Sequence, residues 1–182
     1  MAGQTKASRP ASHLPSAPAS LTILGVDPGL RVTGWGIVRG DGDRLSSIAC
    51  GAIALRGDRR HEERLQHIYL ELCAVIAQWS PAEIAVEDPY VGENVRSAFA
   101  IGEARAIALL AAAEAGIEVS QYAPAEIKAA VTGYGRSDKA QVQELVRVQL
   151  GLGETPEPAD AADALAVAIC HHLRMRSDAR LR

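Results

Sequence analysis

The chain has 182 residues, 48% of them apolar, and a formal net charge of −3, which suits one compact domain with some additional sequence. Its three cysteines, Cys50, Cys73 and Cys170, form no Cys-x-x-Cys pair and are odd in number, which argues against a disulfide framework and against a thiolate zinc site. No apolar run approaches the roughly 18 residues of a membrane span, so we expect a cytoplasmic protein with no membrane contact.

The first elements predicted in chain order are a tail and three strands. Residues 1–20 are rich in Ala, Ser and Pro and carry no acid, and they lack the apolar segment of a secretory signal, so we expect a disordered tail. Apolar runs then follow at 21–26, 32–38 and 45–55, separated by turn-forming Gly, Pro and Asp residues. This pattern predicts an antiparallel β-meander.

Helices and strands alternate in the next part of the chain. The spacing of apolar residues predicts, in order, a helix at 59–79, a strand at 84–86, a helix at 94–115 that ends at Gly116, and a strand at 117–122. Strands joined by helical crossovers are typical of parallel pairing.

The last third of the sequence predicts three helices. The first spans 125–131, the second runs from an N-cap at Ser137 to about residue 150, and the last spans 159–175. His171 and His172 are interpreted as a positive cap at the end of the last helix. The whole order predicts an α/β domain at 21–175, with a five-stranded mixed sheet covered by helices on both faces and a basic end at 176–182.

Two acidic side chains are predicted at strand ends. Asp27 follows the first strand directly, and Glu87 ends the short apolar strand at 84–86. An ionised carboxylate beside a buried strand is costly unless it is paired or binds a cation. The alternatives are a turn-forming Asp27 and a Glu87 that emerges past the sheet into solvent.

A second pair of acids opens the last helix. Asp160 and Asp163 are three residues apart and therefore lie on one helical face, where two like charges repel and a bound cation would compensate. The alternative is that they interact with the positive end of the helix dipole, which suits Asp160 better than Asp163. Carboxylate oxygens favour Mg²⁺ or Mn²⁺ over zinc, and two such ions can catalyse phosphodiester hydrolysis.

Three stretches resemble the RuvC family of Holliday-junction resolvases. ILGVDPGLRVTGWG at residues 23–36 is similar to the opening of the family, ADAADALA at 159–166 is similar to its last helix, and Glu87 stands where its strand-borne glutamate belongs. The resemblance implies an RNase H-like fold and a dimeric, nucleoid-associated endodeoxyribonuclease of recombination and repair. It further implies that two metal ions, held by Asp27, Glu87, Asp160 and Asp163, support symmetric nicks in four-way junctions, and that RuvA and RuvB are partners.

The resemblance also implies residues that contact DNA. Lys128 and Lys139 match basic positions near the cut, and only three of the 19 basic residues in the chain are lysines. Tyr90 matches an aromatic position that stacks on an unpaired base. A solvated surface position is the alternative for each of these residues. The extra acid Asp88 departs from the family pattern, and we hypothesise that it affects metal preference.

A basic face would reconcile DNA binding with a net negative charge, which by itself does not suggest a nucleic-acid partner. Its candidates are Arg96, Arg105, Lys128, Arg136, Lys139 and Arg147, together with the basic end. Two other functions stay open: an ATPase or kinase domain of the actin-like group, whose first hairpin also carries an Asp-x-Gly motif, and a junction-binding module without catalysis. Length argues against the first, because that group needs two such domains.

Overall fold

The computed structural model describes residues 20–54, 57, 59–88 and 95–180, and only the backbone of residues 95 and 96. Five strands and five helices lie in these ranges. They are β1 (Leu21–Asp27), β2 (Val32–Asp41), β3 (Arg44–Ala54), α1 (His61–Trp79), β4 (Glu83–Glu87), α2 (Val95–Glu114), β5 (Val119–Tyr122), α3 (Pro124–Thr132), α4 (Lys139–Gln149) and α5 (Ala159–Arg180).

The strands form one mixed sheet in the order β3-β2-β1-β4-β5. The first three strands pair antiparallel, as the meander predicts, whereas β4 pairs parallel with β1 and β5 pairs parallel with β4. Helices α1 and α2 connect the parallel strands. The predicted five-stranded mixed sheet is therefore confirmed, and its central strand β1 lies next to β4.

Two apolar cores lie on opposite faces of the sheet. One core packs β-strand side chains such as Leu24 and Val86 against α1 and α2. The other packs Ile23 and Ala85 against α3, α4 and α5. Since successive side chains of a strand point to opposite faces, both β1 and β4 contribute to both cores. This confirms helices on both faces.

Helix α5 lies unusually close to β1 and β2 because glycines line the strands beneath it. A Cβ atom placed at Gly34 would overlap the backbone carbonyl oxygen of Asp160, and one at Gly25 would overlap that of Ala164. The facing helix surface is rich in alanine, and Ala161, Ala162 and Ala164 are fully buried. Small side chains on both partners thus bring the start of α5, with its two acids, next to the sheet.

Two local predictions were wrong. The N-cap of α4 is Asp138, whose carboxylate accepts a hydrogen bond from the Gln141 N–H at 2.8 Å. Ser137 is buried instead, and its hydroxyl donates to the Tyr134 carbonyl oxygen at 2.9 Å. His171 and His172 do not cap α5, because both are buried and the helix continues beyond them.

The end of α5 extends further than the sequence pattern indicates. The helix continues to Arg180, so most of the basic end is helical. The Arg176 guanidinium pairs with the Asp43 carboxylate in the β2–β3 turn, which holds the last turns of the helix against the sheet. None of the described helices combines the length and the apolar composition needed to cross a membrane.

Candidate active site

Asp27 and Glu87 lie side by side at the ends of two parallel strands. Val26 of β1 pairs with Val86 of β4, and the acid follows directly in each strand. Because Val26 and Val86 face α1 and α2, the alternation of side chains turns both acids toward α5. The two acidic strand ends that the sequence predicts therefore meet on one face of the sheet.

The first turns of α5 bring Asp163 to the same place. Asp163 follows Ala162, which is fully buried, and its own side chain stays 21% exposed. It lines one cleft together with Asp27 and Glu87. Asp160 is not among the residues that line this cleft, but its charge acts on Asp27. The predicted acid set thus consists of three carboxylates in the cleft and a fourth at its margin.

The cleft has a volume of about 280 Å³ and joins charged groups with an apolar wall. The charged groups come from the strand ends and three helices. The residues that line the cleft are Asp27, Glu87, Pro124, Ile127, Lys128, Lys139, Val142, Asp163 and Ala166. The apolar members come from α3, α4 and α5. The sequence does not predict them as cleft residues, because their spacing is the same as that of other core-facing residues of a helix.

Both lysines that sequence analysis singled out line this cleft. The Lys139 Nζ atom lies 2.6 Å from Asp163 Oδ2, and this hydrogen bond, with the nearby carboxylates, raises the pKa of Lys139. The ammonium group of Lys128 acts on Glu87, where it lowers the pKa of the carboxyl group against the larger opposing effects. The cleft therefore contains two cations among its acids.

Burial and mutual repulsion raise the pKa of both strand-end acids. Burial is the largest cause for each, and the charges of neighbouring carboxylates add to it. The pKa of Asp27 rises to about 6 and that of Glu87 to about 7. The Glu87 carboxyl group hydrogen-bonds to Asp27, which favours the proton on Glu87. Ionisation of Asp27 and Glu87 in the folded protein therefore costs free energy.

This cost predicts that the metal-free protein loses stability as pH rises. In the unfolded chain these acids ionise near their ordinary pKa values of 3.8 and 4.5, whereas in the folded protein they retain protons to about pH 6 and 7. The folded state binds more protons in this window, so its stabilisation is complete below about pH 4 and is lost as pH rises through 7. We expect the Tm, measured by scanning fluorimetry in EDTA, to fall by several degrees.

A variant with both acids replaced, Asp27→Asn with Glu87→Gln, is the control for this prediction, because it keeps every other titrating group. Its Tm should change much less between pH 4 and pH 8 than that of the unaltered protein. In the presence of Mg²⁺ the unaltered protein should also regain Tm at pH 8, since a cation favours the ionised acids. An equal fall in both proteins would show that other groups cause it.

The donor chemistry of the cleft fits hard divalent cations. Across the described residues, no group of three acidic, histidine or cysteine side chains is arranged to hold a metal ion as it stands. The carboxylates nevertheless repel one another, and Lys139 supplies the counter-charge for Asp163. Oxygen ligands of this kind select Mg²⁺ or Mn²⁺. Small side-chain rotations and displacement of the ammonium group would be needed for a shared ion.

The remaining predicted DNA contacts are only partly described. Tyr90 lies outside the described residues, and so does the side chain of Arg96. Arg105 already has acidic and amide partners, since its Nε lies 3.1 Å from the Asp88 carboxylate and its Nη2 donates to Gln121. The Arg105 pairing gives Asp88 a partner outside the cleft, which does not favour the hypothesis that it affects metal preference.

Arg147, another candidate for the basic face, is also paired. Its guanidinium binds Glu144 at 2.7 Å and donates to the Leu152 carbonyl oxygen at 3.0 Å. An i,i+3 pair of this kind belongs to the surface of one helix. The predicted basic face therefore includes two arginines, Arg105 and Arg147, whose charge is partly neutralised by neighbouring acids.

The sheet order and the acids at the ends of β1 and β4 and at the start of α5 define a nuclease with an RNase H-like fold. The family model for "Crossover junction endodeoxyribonuclease RuvC" matches residues 23–171. The chain belongs to this family of metal-dependent endodeoxyribonucleases, whose activity serves DNA recombination and repair. The resemblance found in the sequence is confirmed.

Individual relatives agree with this assignment. RuvC of Heliobacterium modesticaldum is 48% identical over 150 residues, which are 82% of this chain and 93% of the relative. RuvC of Chloroflexus aggregans is 49% identical over 151 residues, or 83% and 92% of the two chains. The structure of Thermus thermophilus RuvC in complex with a Holliday junction substrate aligns with a TM-score of 0.82 at 31% identity. The alignment covers 87% of this chain and 96% of the Thermus thermophilus chain. The alternative of an actin-like ATPase or kinase is not favoured.

Proposed function

We propose that this protein resolves four-way DNA junctions by hydrolysing two phosphodiesters at symmetric positions. The observation that carries the proposal is the cleft in which Asp27, Glu87 and Asp163 lie together with two lysines. Acids can hold divalent ions, and lysines can bind the phosphates of a DNA strand. The aligned Thermus thermophilus protein binds a Holliday junction substrate, which supports the choice of substrate.

The four acids Asp27, Glu87, Asp160 and Asp163 would hold two Mg²⁺ or Mn²⁺ ions. The ions, when bound, would activate water and stabilise the leaving oxygen of the phosphodiester. The acids come from two rigid strand ends and the closely packed start of α5, which limits their movement. Asp160 would approach from the margin of the cleft, where its charge already acts on Asp27 and Lys139.

Lys128 and Lys139 would bind the phosphates that flank the cut. Lys128 lies in α3 and Lys139 begins α4, and both line the cleft together with the acids. The hydrogen bond to Asp163 raises the pKa of Lys139, so its ammonium group stays charged through the neutral range. Binding of metal at Asp163 would release the Lys139 ammonium group to bind the DNA.

Tyr90 and Arg96 are proposed as further DNA contacts on the basis of the family resemblance. Both follow Glu87 within ten positions of the chain, and Arg96 is the second residue of α2. A tyrosine ring can stack on an unpaired base, and an arginine can pair with a phosphate.

A homodimer would supply the two equivalent active sites that symmetric nicks require. Helix α2 offers a surface for it, because its exposed residues include large apolar side chains that lie on one side of the helix. Phe99 is 70% exposed and Leu110 is 48% exposed, and they are separated by small exposed residues, Gly102 and Ala106. Small residues between two large apolar ones allow a second helix to approach closely.

The resemblance further supports cooperation with the branch-migration proteins RuvA and RuvB. It also supports a place on the bacterial nucleoid, where recombination produces four-way junctions. A junction-binding module without catalysis is less well supported, because all four acids are present in the sequence.

The test is to incubate the purified full chain with an end-labelled synthetic four-way junction or a matched linear duplex, with Mg²⁺, Mn²⁺ or EDTA. We expect paired nicks in the junction only when metal is present, products that DNA ligase reseals, and a solution mass twice that of the monomer by light scattering. Binding to the junction without nicks would favour the non-catalytic module. Equal cutting of duplex and junction would contradict the proposed specificity.

A further inference from the structure

A hydrogen-bond network centred on the buried His171 lies between the sheet and α5, on the same face of the sheet as the cleft. His171 of α5 is 2% exposed, and its Nδ1 lies 2.7 Å from the Tyr122 hydroxyl of β5. Its Nε2 lies 2.7 Å from the Glu83 carboxylate of β4. We call Tyr122, His171 and Glu83 the buried network after its central residue, since His171 is buried and the other two are half-buried. None of them lines the cleft.

The proton positions in the buried network follow from what each group can do. The Glu83 carboxylate only accepts hydrogen bonds, so His171 Nε2 must carry a proton and donate it. Nδ1 can then accept, and the Tyr122 hydroxyl donates to it. Burial raises the pKa of Tyr122, which keeps this hydroxyl protonated as a donor. Every polar atom of the His171 ring is thereby satisfied by groups from two different strands.

Glu83 and His171 belong to elements that carry charged groups of the cleft, and Tyr122 of β5 adjoins two such elements, β4 and α3. Glu83 begins β4, the strand that ends at Glu87. Tyr122 pairs with Glu87 in the parallel ladder, and its carbonyl oxygen accepts a hydrogen bond from the Asp88 N–H at 2.8 Å. α3, which carries Lys128, begins two residues after Tyr122.

The third element of the buried network is α5, whose first turns carry Asp160 and Asp163. Toward its start, α5 touches the sheet through glycines and alanines, which give close packing but no directional bond. Hydrogen bonds are directional, and two of them to one buried ring fix both the rotation and the position of the helix. The buried network is therefore suited to setting the place of α5 relative to β4 and β5.

We propose that the buried network positions the acids of the cleft by fixing α5 against β4 and β5. The proposal rests on the proposed nuclease function. None of its members lines the cleft, so we treat them as positioning residues. Displacement of reacting groups by about 1 Å can cost roughly 100-fold in rate, so loss of one directional bond here is expected to have a large effect on cutting.

The variant Tyr122→Phe tests the proposal, because it removes the hydroxyl and keeps the ring. We expect the single-turnover rate of junction cutting at saturating Mg²⁺ to fall by roughly 10- to 100-fold. The Kd for the junction, measured in EDTA, should change less than about twofold, since the phosphate-binding lysines remain. Tyr134→Phe is the matched control at a tyrosine that is 61% exposed, and its rate should equal that of the unaltered protein.

A conservative rescue separates positioning from a general loss of stability. Glu83→Gln keeps an oxygen that accepts the His171 Nε2 proton and should retain most of the rate, whereas Glu83→Ala should lose as much as Tyr122→Phe. All rates are measured well below the Tm of each variant. A variant that loses Tm but cuts at the full rate would show a structural role only and would overturn the proposal.

A metal-binding readout keeps this test separate from the test of function. Acids that are poorly positioned should bind metal more weakly, so the Mg²⁺ concentration for the half-maximal rise in Tm should increase at least about fivefold in Tyr122→Phe. If the unaltered protein cuts no junction, the proposed function fails while this readout still decides about the network. An unchanged Mg²⁺ midpoint together with an unchanged cutting rate would overturn the network proposal alone.

Discussion

Asp27→Asn is expected to abolish junction cutting, with a loss of at least about 1000-fold in single-turnover rate. Asp27 lies at the centre of the acid set, since Glu87, Asp160 and Asp163 all act on it electrostatically. An amide in its place removes one negative charge that divalent ions need, and a loss of about 4 kcal/mol in stabilisation of the transition state corresponds to this factor. The measurement is a time course with labelled junction and excess protein.

The same substitution should leave junction binding intact and raise the stability of the metal-free protein. The amide that replaces the Asp27 carboxylate would carry no charge in a buried place where charge is costly, so the Tm in EDTA at pH 8 should increase. Asp41→Asn is the matched control, because Asp41 is an exposed acid at the end of β2, outside the cleft. A protein that still cuts at the normal rate without Asp27 would contradict the assignment of the acids.

Opposite effects of one substitution on rate and on stability are the signature expected of a functional acid cluster. A turn-forming aspartate would stabilise the fold, and its loss would lower the Tm. An acid that serves function but destabilises the fold by its buried charge should behave in the opposite way. Its replacement by an amide removes the unfavourable charge and should raise the Tm. The Tm of Asp27→Asn thus tests the alternative interpretation of Asp27 without any measurement of activity.

The sequence carries enough information for the sheet and the main acids because both depend on local pattern. Alternation of apolar residues locates the strands, and in parallel strands the acids that follow them must share one edge of the sheet. Asp27 and Glu87 were predicted at strand ends and lie together for this reason. Asp160 and Asp163 share a helical face by spacing alone, although only Asp163 lines the cleft.

Contacts between distant parts of the chain could not be predicted in this way. The pairing of Lys139 with Asp163 joins the start of α4 to α5, and the pairing of His171 with Glu83 spans 88 positions. Nothing in the spacing of these residues indicates their partners. The sequence suggests a helix cap at His171, because a histidine near the predicted end of a helix more often caps that helix than lies buried in the core.

The glycines of β2 are a signal of close packing that is visible in the sequence. Gly34 and Gly36 alternate in a strand, and glycine weakens a strand unless another backbone must come close. The alanine-rich start of the last helix is the matching surface. Together they indicate that α5 crosses this strand at short distance, which is the feature that brings the second acid pair to the first.

Gly34→Ala is expected to damage both the fold and the active site. The added Cβ atom would overlap the backbone carbonyl oxygen of Asp160, and a helix backbone cannot yield as a flexible side chain can. Overpacking of this kind costs about 1–3 kcal/mol or more, which lowers the Tm of a protein of this size by roughly 2–12 °C. Displacement of α5 would also move its acids away from Asp27, so cutting should fall by at least about 100-fold.

The matched control is Gly153→Ala, which adds the same methyl group at a glycine with no atom within 4 Å of the new Cβ. Its Tm and its cutting rate should stay close to those of the unaltered protein. The rate of Gly34→Ala is measured at a temperature where the variant is fully folded, so that a lower rate reports the position of α5. Full activity in a folded Gly34→Ala protein would mean that close contact between α5 and β2 serves stability alone, because the acids would then reach their positions without it.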